Sequence, residues 1–290
     1  MKLKSVLESR PIWAAPFFAR LIICLKLRHV LSSADGGENH IALETNKLYH
    51  MDGVAGLRGL PYHSVDMLLT DPPYGTTKNE WDVPLYLPDF WEAALWAVKP
   101  NGAILIFAQC PYDKIVGMSN LSMLRYEWIW YKSKGTNFLN ARRAPLKRTE
   151  TILVFYEHLP VYQPQYEQGK PYFTVCKKSG LSSNYGKFER SFIQSDGRKF
   201  PDNLLCFSSV TKTVHPTQKP VELCEYLIKT YTRPGELVAD ICAGSGTTAV
   251  AAIHTGRGFI CFEKDRQIYS AALERIAGAM RDGNSQYESK

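Results

Sequence analysis

Four consecutive residues, Asp71, Pro72, Pro73 and Tyr74, form the most chemically informative stretch of this 290-residue sequence. They follow the apolar run 65–70, and two prolines at a strand end stop further pairing and stiffen the backbone. The Asp carboxylate and the Pro carbonyl are acceptors that can hold an exocyclic amine, while the Tyr ring can stack on the base that carries it. The pattern predicts a site that orients the nitrogen of an amino base toward an electrophile.

A second pattern lies at residues 240–248, which read D-I-C-A-G-S-G-T-T between a strand-like and a helix-like segment. Gly244 and Gly246 allow a ligand to approach the backbone closely, and the start of a helix offers free N–H groups. Glu263 follows about 20 residues later, where its carboxylate can accept hydrogen bonds from ribose hydroxyls. The combination indicates a ribose-bearing nucleotide cofactor; a dinucleotide of the NAD(P) type and a plain tight turn are the alternatives.

Together these patterns resemble those of the amino-type DNA methyltransferases, which use S-adenosylmethionine as methyl donor. Residues 71–74 match the catalytic D-P-P-Y motif of that family, and residues 240–248 match its cofactor loop. Residues 215–220, H-P-T-Q-K-P, match the element that precedes this loop. The catalytic motif comes before the cofactor loop, a permuted order that resembles the β group of these enzymes. The resemblance extends over about residues 46–276.

The resemblance implies a role for each matching position. The four residues of the first pattern would be the catalytic residues. Thr217 and Lys219 would lie near the methionine end of the cofactor, Glu263 at its ribose and Asp52 at its adenine. The full set assigned to S-adenosylmethionine is Asp52, Thr217, Lys219, Asp240, Ala243, Gly244, Ser245, Gly246, Thr247, Thr248 and Glu263.

One departure from the family pattern lies in the cofactor loop. The family usually has Pro-Phe after the Asp, whereas this chain has Ile241 and Cys242. Because Cys is small, another side chain would have to form the wall that Phe provides against the cofactor, and Phe262 and Ile241 are the candidates. His215 has no second potential ligand at a suitable spacing, so no metal site is predicted.

The implied reaction is transfer of a methyl group from S-adenosylmethionine to the N6 amine of adenine in double-stranded DNA, by direct displacement after base flipping. Adenine is favoured because cytosine enzymes of this group tend to carry Ser at the position of Asp71. Cytosine N4 is the first alternative, and a NAD(P)-binding oxidoreductase is a more remote one. The resemblance further implies a cytoplasmic enzyme of the restriction-modification or orphan type. It also implies a homodimer, whereas the expectation of no membrane partner comes from the charges within the apolar stretch 11–31.

The net charge of +7 arises from 35 Lys and Arg residues against 28 Asp and Glu residues. The surplus lies at 132–200, where thirteen basic residues accompany five acidic ones and aromatic residues are interleaved. Such a composition suits a phosphate backbone and unstacked bases, while solvated surface charge is the alternative. The densest cluster, which is predicted to bind DNA, is Arg142, Arg143, Lys147 and Arg148.

An α/β framework must position these residues. Apolar runs rich in β-branched and aromatic residues predict strands, and apolar residues at helical spacing predict helices. Their alternation predicts an α/β, Rossmann-like methyltransferase sheet, mostly parallel, with helices on both faces and ligands at the carboxyl ends of the strands. The predicted strands are 65–70, 103–107, 126–131, 151–156, 237–241 and 257–263, and the predicted helices are 90–98, 221–231 and 246–255.

The remaining features concern the organisation of the chain. The stretch 11–31 is apolar but contains Arg20, Lys26 and Arg28, so no membrane span is predicted. The seven cysteines occur singly, which indicates free thiols in a reducing compartment. The predicted parts are an N-terminal extension and linker at 1–45, a catalytic domain at 46–131 and 211–280, an inserted target-recognition module at 132–210 and a C-terminal tail at 281–290.

Overall fold

The structure is a computed structural model that describes residues 43–76, 79, 82–175, 180–182, 186–188, 192–210 and 218–287. Most of the predicted N-terminal extension, together with His215 and Thr217, lies outside the described residues. The helices are α1 Gly53–Arg58, α2 Leu87–Ala97, α3 Tyr112–Ser119, α4 Val221–Tyr231, α5 Thr247–His254 and α6 Arg266–Tyr287. The strands are β1 Lys47–His50, β2 Val65–Thr70, β3 Val98–Ala108, β4 Leu124–Thr136, β5 Lys147–Phe155, β6 Glu167–Gln168, β7 Tyr172–Val175, β8 Gly180–Ser182, β9 Gly186–Phe188, β10 Phe192–Ser195, β11 Arg198–Lys199, β12 Leu204–Phe207, β13 Leu237–Asp240 and β14 Gly258–Glu263.

Within the described residues, eight strands form one sheet in the order β1-β14-β13-β2-β3-β5-β4-β12. Neighbouring strands are parallel from β1 through to β3, and β12 is parallel to β4. Strand β5 is antiparallel to both of its neighbours. The sheet is therefore mostly parallel, as predicted.

The two faces of this sheet bury separate apolar layers. Met67 and Leu69 of β2 point into a layer with α4, α5 and α6, whereas Leu68 points into a layer with α1, α2 and α3. This division follows from the period-two alternation of side chains along a strand. Helices on both faces of the sheet are thus confirmed.

The position of the site follows from where the order of the strands reverses. Strand β2 is followed along the chain by β3 on one side, and β13 is followed by β14 on the other. Strands β2 and β13 are themselves neighbours, so their carboxyl ends lie side by side at the switch point. Ligands of open α/β sheets bind in the crevice at such a point. Both Asp71 and Asp240 lie there.

The predicted boundary of the target-recognition module does not coincide with a structural boundary. Residue 132 falls inside β4, and β5 and β12 belong to the main sheet although both lie within 132–210. The composition becomes more basic at residue 132, but the chain there stays in the main sheet because β4, β5 and β12 pair with strands of that sheet. Between β5 and β12, the short pairs β6–β11, β7–β10 and β8–β9 lie outside the main sheet. A role of this outer segment in target recognition remains a prediction.

The length and hydropathy of the helices also bear on membrane insertion. In the part of the chain that the structure describes, no helix is both long enough and apolar enough to cross a membrane.

Candidate active site

The D-P-P-Y residues leave the carboxyl end of β2 and are held by hydrogen bonds. The hydroxyl of Tyr74 donates to Asp71 Oδ1 at 2.6 Å, and the Tyr74 ring stacks on Tyr112 with centroids 5.5 Å apart. Burial, followed by the neighbouring carboxylates of Asp71 and Glu150, raises the pKa of Tyr74 well above its ordinary value. The Tyr74 hydroxyl therefore stays protonated and keeps donating to the carboxylate.

The second oxygen of Asp71 is bound by an ammonium group. Lys219, immediately before α4, donates to Asp71 Oδ2, and its Nζ lies 3.4 Å from Glu150 Oε2. Glu150 Oε1 in turn accepts from Lys132 Nζ and, at 3.0 Å, from Gln109 Nε2. The chain of contacts thus alternates in charge, from Asp71 through Lys219 and Glu150 to Lys132.

Three of these four side chains are almost completely buried. The exposed fractions are 9% for Lys219 and 8% for both Glu150 and Lys132, against 24% for Asp71. Burial raises the pKa of Glu150, but the ammonium groups of Lys219 and Lys132 outweigh burial and hold it below its ordinary value. Burial lowers the pKa of Lys219, yet Asp71 and Glu150 leave it raised. Lys219 and Glu150 are therefore both charged at neutral pH.

The sequence predicts this cluster only in part. It assigns Lys219 to the methionine end of the cofactor, and the structure places the ammonium group of Lys219 between two carboxylates. The cofactor role of Lys219 remains a prediction. In the sequence, Glu150 and Lys132 stand out only as two of the charges of the basic stretch 132–200. The one available signal is that Glu150 is an acidic residue immediately before an apolar strand in an otherwise basic segment.

The predicted cofactor loop joins β13 to α5. Gly244 and Gly246 have φ of 51° and 77°, in the left-handed region that favours glycine. The N–H of Gly244 donates to Glu263 Oε2 at 2.9 Å, and Asp265 N donates to the other oxygen of Glu263 at 2.8 Å. Glu263 therefore holds the loop in place, and its role at the ribose remains a prediction.

Asp240 fixes the start of the same loop. Its carboxylate accepts from Thr248 Oγ1 at 2.6 Å and from the Cys242 N–H at 3.0 Å. Burial raises the pKa of Asp240 to about 6, although the hydrogen bonds from Thr248 and Cys242 act in the opposite direction. The loop is thus closed by a buried carboxyl group whose ionisation is opposed by its surroundings.

Arg275, on α6, binds the middle of the loop and has no counterpart among the residues predicted from the sequence. Its Nη1 donates to the carbonyl and the hydroxyl of Ser245, both at 3.0 Å, and to Thr247 Oγ1 at 2.9 Å. Ser245, Thr247 and Thr248 are all buried. Their hydroxyl groups therefore shape the loop, and the loop presents mainly its backbone to the open side.

The space around the loop fits a ribose-bearing cofactor. A Cβ added at Gly244 would meet only the Cys242 carbonyl oxygen, at 4.0 Å, so the space above this glycine is open. Asp52 is exposed and uses one carboxylate oxygen to cap α1. It follows β1, whose last residue is paired with Glu263, so two carboxylates border the crevice near Gly244. The two carboxylates suit the polar atoms of a ribose and a base. The open space above Gly244 allows a ligand to contact the backbone closely.

The side chains expected to replace the missing Phe are committed to packing under α1. A Cβ at Gly56 would lie 2.4 Å from the Phe262 ring, and a Cβ at Gly53 would lie 2.5 Å from Ile241 Cβ. Ile241 and Phe262 are both buried, whereas Cys242 is half-buried. Whether Phe262 or Ile241 supplies a wall against the cofactor remains a prediction.

The four candidate DNA-binding residues lie in or next to the β4–β5 connection, and all are exposed. Thr151, in the middle of β5, is paired with Ala108 at the carboxyl end of β3, so the first half of β5 and this connection lie beyond that end of the sheet. Lys147 Nζ donates to Gln109 Oε1 at 3.4 Å, and Arg148 donates to the Tyr131 hydroxyl at 2.8 Å. The structure thus brings the basic cluster to the same edge as the D-P-P-Y residues.

Potential metal ligands do not converge in the described part of the chain. Among the described residues, no group of three or more His, Cys, Asp and Glu side chains is placed to hold a metal ion.

Comparison with known proteins points to one family. The family model described as DNA methylase, N6_N4_Mtase, matches residues 65–274. The chain is 27% identical over 248 residues to type II methyltransferase M.HpaI of Haemophilus parainfluenzae. The matched region covers 79% of this chain and 74% of that protein. The chain is 26% identical over 251 residues to DNA adenine methyltransferase YhdJ of Escherichia coli strain K12, covering 80% and 83%. The solved structure of PvuII DNA methyltransferase, described as cytosine-N4-specific, has the same fold, with a TM-score of 0.58, 19% identity and coverage of 86% and 95%.

Proposed function

The chain belongs to the N6/N4 DNA methylase family, and from this premise we propose that it transfers the methyl group of S-adenosylmethionine to the N6 amine of adenine in double-stranded DNA. The observation that carries the proposal is the Asp71 carboxylate at the switch point of the sheet. It is held from one side by Tyr74 and from the other by Lys219. This arrangement presents a fixed acceptor beside an aromatic ring.

The D-P-P-Y residues bind and orient the target amine. A carboxylate has about four lone-pair positions, so Asp71 can accept from the amine while it also accepts from Tyr74 and Lys219. The Pro72 carbonyl accepts the second amine hydrogen, and the Tyr74 ring stacks on the flipped base. Holding both hydrogens aims the nitrogen lone pair away from the acceptors and toward the crevice above Gly244.

The cofactor is held by the loop and the two carboxylates that border it. When bound, S-adenosylmethionine supplies a methyl group on a sulfonium, which is already a good leaving group. Positioning and electrostatics are therefore the main contribution of the protein. Glu263 and Asp52 would hold the ribose and adenine, and the backbone at Gly244 lies against the open space that the rest of the cofactor needs.

Adenine is supported by residue 71 itself. Aspartate at this position favours adenine in the family that the sequence resembles, and the relative YhdJ is a DNA adenine methyltransferase by name. Cytosine N4 is the second candidate, because the fold is shared with an enzyme whose description names that base. The two reactions give different methylated nucleosides, so one product analysis separates them.

The basic cluster of the β4–β5 connection supports DNA as the substrate. Phosphate groups bind Lys and Arg side chains that reach solvent, and Arg142, Arg143, Lys147 and Arg148 are all exposed. Target recognition by the outer segment between β5 and β12 and assembly as a homodimer belong to the same proposal. A restriction partner is not assigned.

The proposal is tested by incubating the purified chain with tritiated S-adenosylmethionine and, separately, unmethylated phage DNA, RNA and protein. Label should enter DNA alone, and digestion to nucleosides should give N6-methyladenine. N4-methylcytosine would replace the adenine assignment by the second candidate. Label in RNA or protein, or no transfer at all while cofactor binding is intact, would refute the proposed function.

A further inference from the structure

The buried chain beside Asp71 alternates two negative with two positive charges, so loss of any one group leaves a net charge. Asp71 follows β2, Lys219 precedes α4, Glu150 lies in β5 and Lys132 lies in β4. Removing one partner of a buried ion pair leaves an uncompensated charge, which is strongly destabilising. Of these four residues, only Asp71 is assigned to the substrate. The role of the buried Glu150–Lys132 pair in the reaction follows from its contact with Lys219.

Besides Tyr74, the Asp71 carboxylate depends for its direction on Lys219. Its side chain is long and flexible, and a single ion pair lets the ammonium group move around the carboxylate. A second carboxylate next to the ammonium group limits this freedom. Glu150 supplies it, with Oε2 at 3.4 Å from Lys219 Nζ, an ion-pair contact without a hydrogen bond.

Glu150 is itself held rigidly. It lies within the antiparallel ladder of β4 and β5, where Trp130 is its partner, and its Oε1 accepts from Lys132 and Gln109. On the side of the site, its carboxylate faces the Lys219 ammonium group. The fixed strand β5 is thus connected to Asp71 through that ammonium group.

We propose that Glu150 is a positioning residue for the reaction: it holds Lys219 so that Asp71 keeps the orientation in which it accepts the target amine. This inference rests on the proposed function, because it assigns Asp71 to the amine. A misplacement of about 1 Å can cost about 100-fold in rate, so loss of Glu150 should lower kcat far more than it alters binding.

The decisive comparison uses two substitutions that oppose each other in charge. Glu150→Gln leaves one buried positive charge in excess, and Lys132→Met leaves one negative charge in excess. The double variant Glu150→Gln/Lys132→Met restores neutrality but still lacks the carboxylate that holds Lys219. Lys99→Met is the matched control, since Lys99 of β3 pairs with Asp66 of β2 at 2.6 Å at the opposite end of the same two strands.

The expected results separate positioning from a purely structural role. Glu150→Gln should lower both Tm and kcat, with kcat on phage DNA falling at least about tenfold while the Kd for S-adenosylmethionine changes less than about threefold. In the double variant Tm should return toward the wild-type value while kcat stays at least about tenfold low. Lys99→Met should keep kcat. Recovery of kcat together with Tm in the double variant would show that the cluster only stabilises the fold, and would overturn the proposal.

Two further measurements test whether Glu150 holds Lys219 in place. If the Gln variants do not fold, Glu150→Asp keeps the charge but withdraws the carboxylate by one methylene group; it should keep Tm and lose kcat, and wild-type kcat would overturn the proposal.

Labelling of Lys219 by acetic anhydride, followed by mass spectrometry, needs no activity. It should become several-fold faster in the Glu150 variants and stay unchanged in Lys99→Met; unchanged labelling in the Glu150 variants would overturn the proposal. A wild-type chain that labels no DNA would instead refute the proposed function, and the labelling result would still test the position of Lys219.

Discussion

Replacing Asp240 by Asn should make the stability of the protein depend less on pH. Burial raises the pKa of Asp240 to about 6 from its ordinary 3.8. Asn has nearly the same shape, and the Thr248 hydroxyl can rotate to accept from it, so the packing of the loop should survive. The substitution therefore removes mainly the ionisation of one buried carboxyl group.

The sign follows from the number of protons bound. Between pH 3.8 and about 6 the folded chain keeps the Asp240 proton while the unfolded chain has lost it. The tighter binding of this proton by the folded chain therefore contributes its full stabilisation below the pKa that Asp240 has in the unfolded chain. This contribution is lost as the pH rises through the pKa that Asp240 has in the folded chain. With one pKa unit worth about 1.4 kcal/mol, the wild-type should lose about 2 kcal/mol between pH 4.5 and 7.5 through this group.

The assay is urea unfolding of the wild-type chain and of Asp240→Asn across this pH range. All other titrating groups are shared, so their effects cancel in the difference between the two free energies of unfolding. That difference should shift by about 2 kcal/mol in favour of the variant from pH 4.5 to 7.5. Thr248→Val is a useful companion, because removal of its hydrogen bond should raise the pKa of Asp240 further. A difference that does not change with pH, or that shifts the other way, would refute the reasoning.

Three other outcomes are expected. Asp71→Ala should abolish methyl transfer and leave the Kd for S-adenosylmethionine within a few-fold; turnover above about a tenth of wild-type, a barrier change under about 1.4 kcal/mol, would contradict the assignment. Glu263→Gln should weaken cofactor binding at least about tenfold, measured by calorimetry, because both carboxylate oxygens accept backbone N–H groups and the amide has one acceptor oxygen, so either Gly244 or Asp265 loses its partner. Arg142→Ala together with Arg143→Ala should lower DNA affinity and flatten its salt dependence, by about 0.9 in the log–log slope for each phosphate that the variant no longer neutralises, with cofactor binding intact. An unchanged slope would show that these charges are solvated surface.

Local patterns are enough to predict the elements that carry the motifs. The predicted helix at 221–231 has the bounds that the structure shows, because Pro220 fixes its start and buried residues recur at helical spacing. The strand before Asp71 is equally clear, since Pro72 and Pro73 must end it. Both signals are contained in a few consecutive residues.

The boundaries of the cofactor helix are less well predicted. The sequence favours 246–255, whereas α5 is Thr247–His254, with Gly246 as a left-handed cap. A glycine at this place satisfies the sequence pattern for a loop and for a helix start alike. The backbone angle, which depends on how the loop closes onto Asp240 and Glu263, decides between them.

The sequence by itself determined where the D-P-P-Y pattern and the glycine loop lie and limited what they can bind, because each is contiguous and its residue types restrict its ligands; that they carry the chemistry stays a prediction. It did not determine what surrounds Asp71. Glu150 reaches Lys219 only because β5 is inserted antiparallel beside β3, and Arg275 reaches the cofactor loop only because α6 packs on that face of the sheet. Contacts between residues far apart in the chain leave no local pattern, since they depend on strand order and helix packing. The tertiary structure therefore decided which charges hold the Asp71 carboxylate.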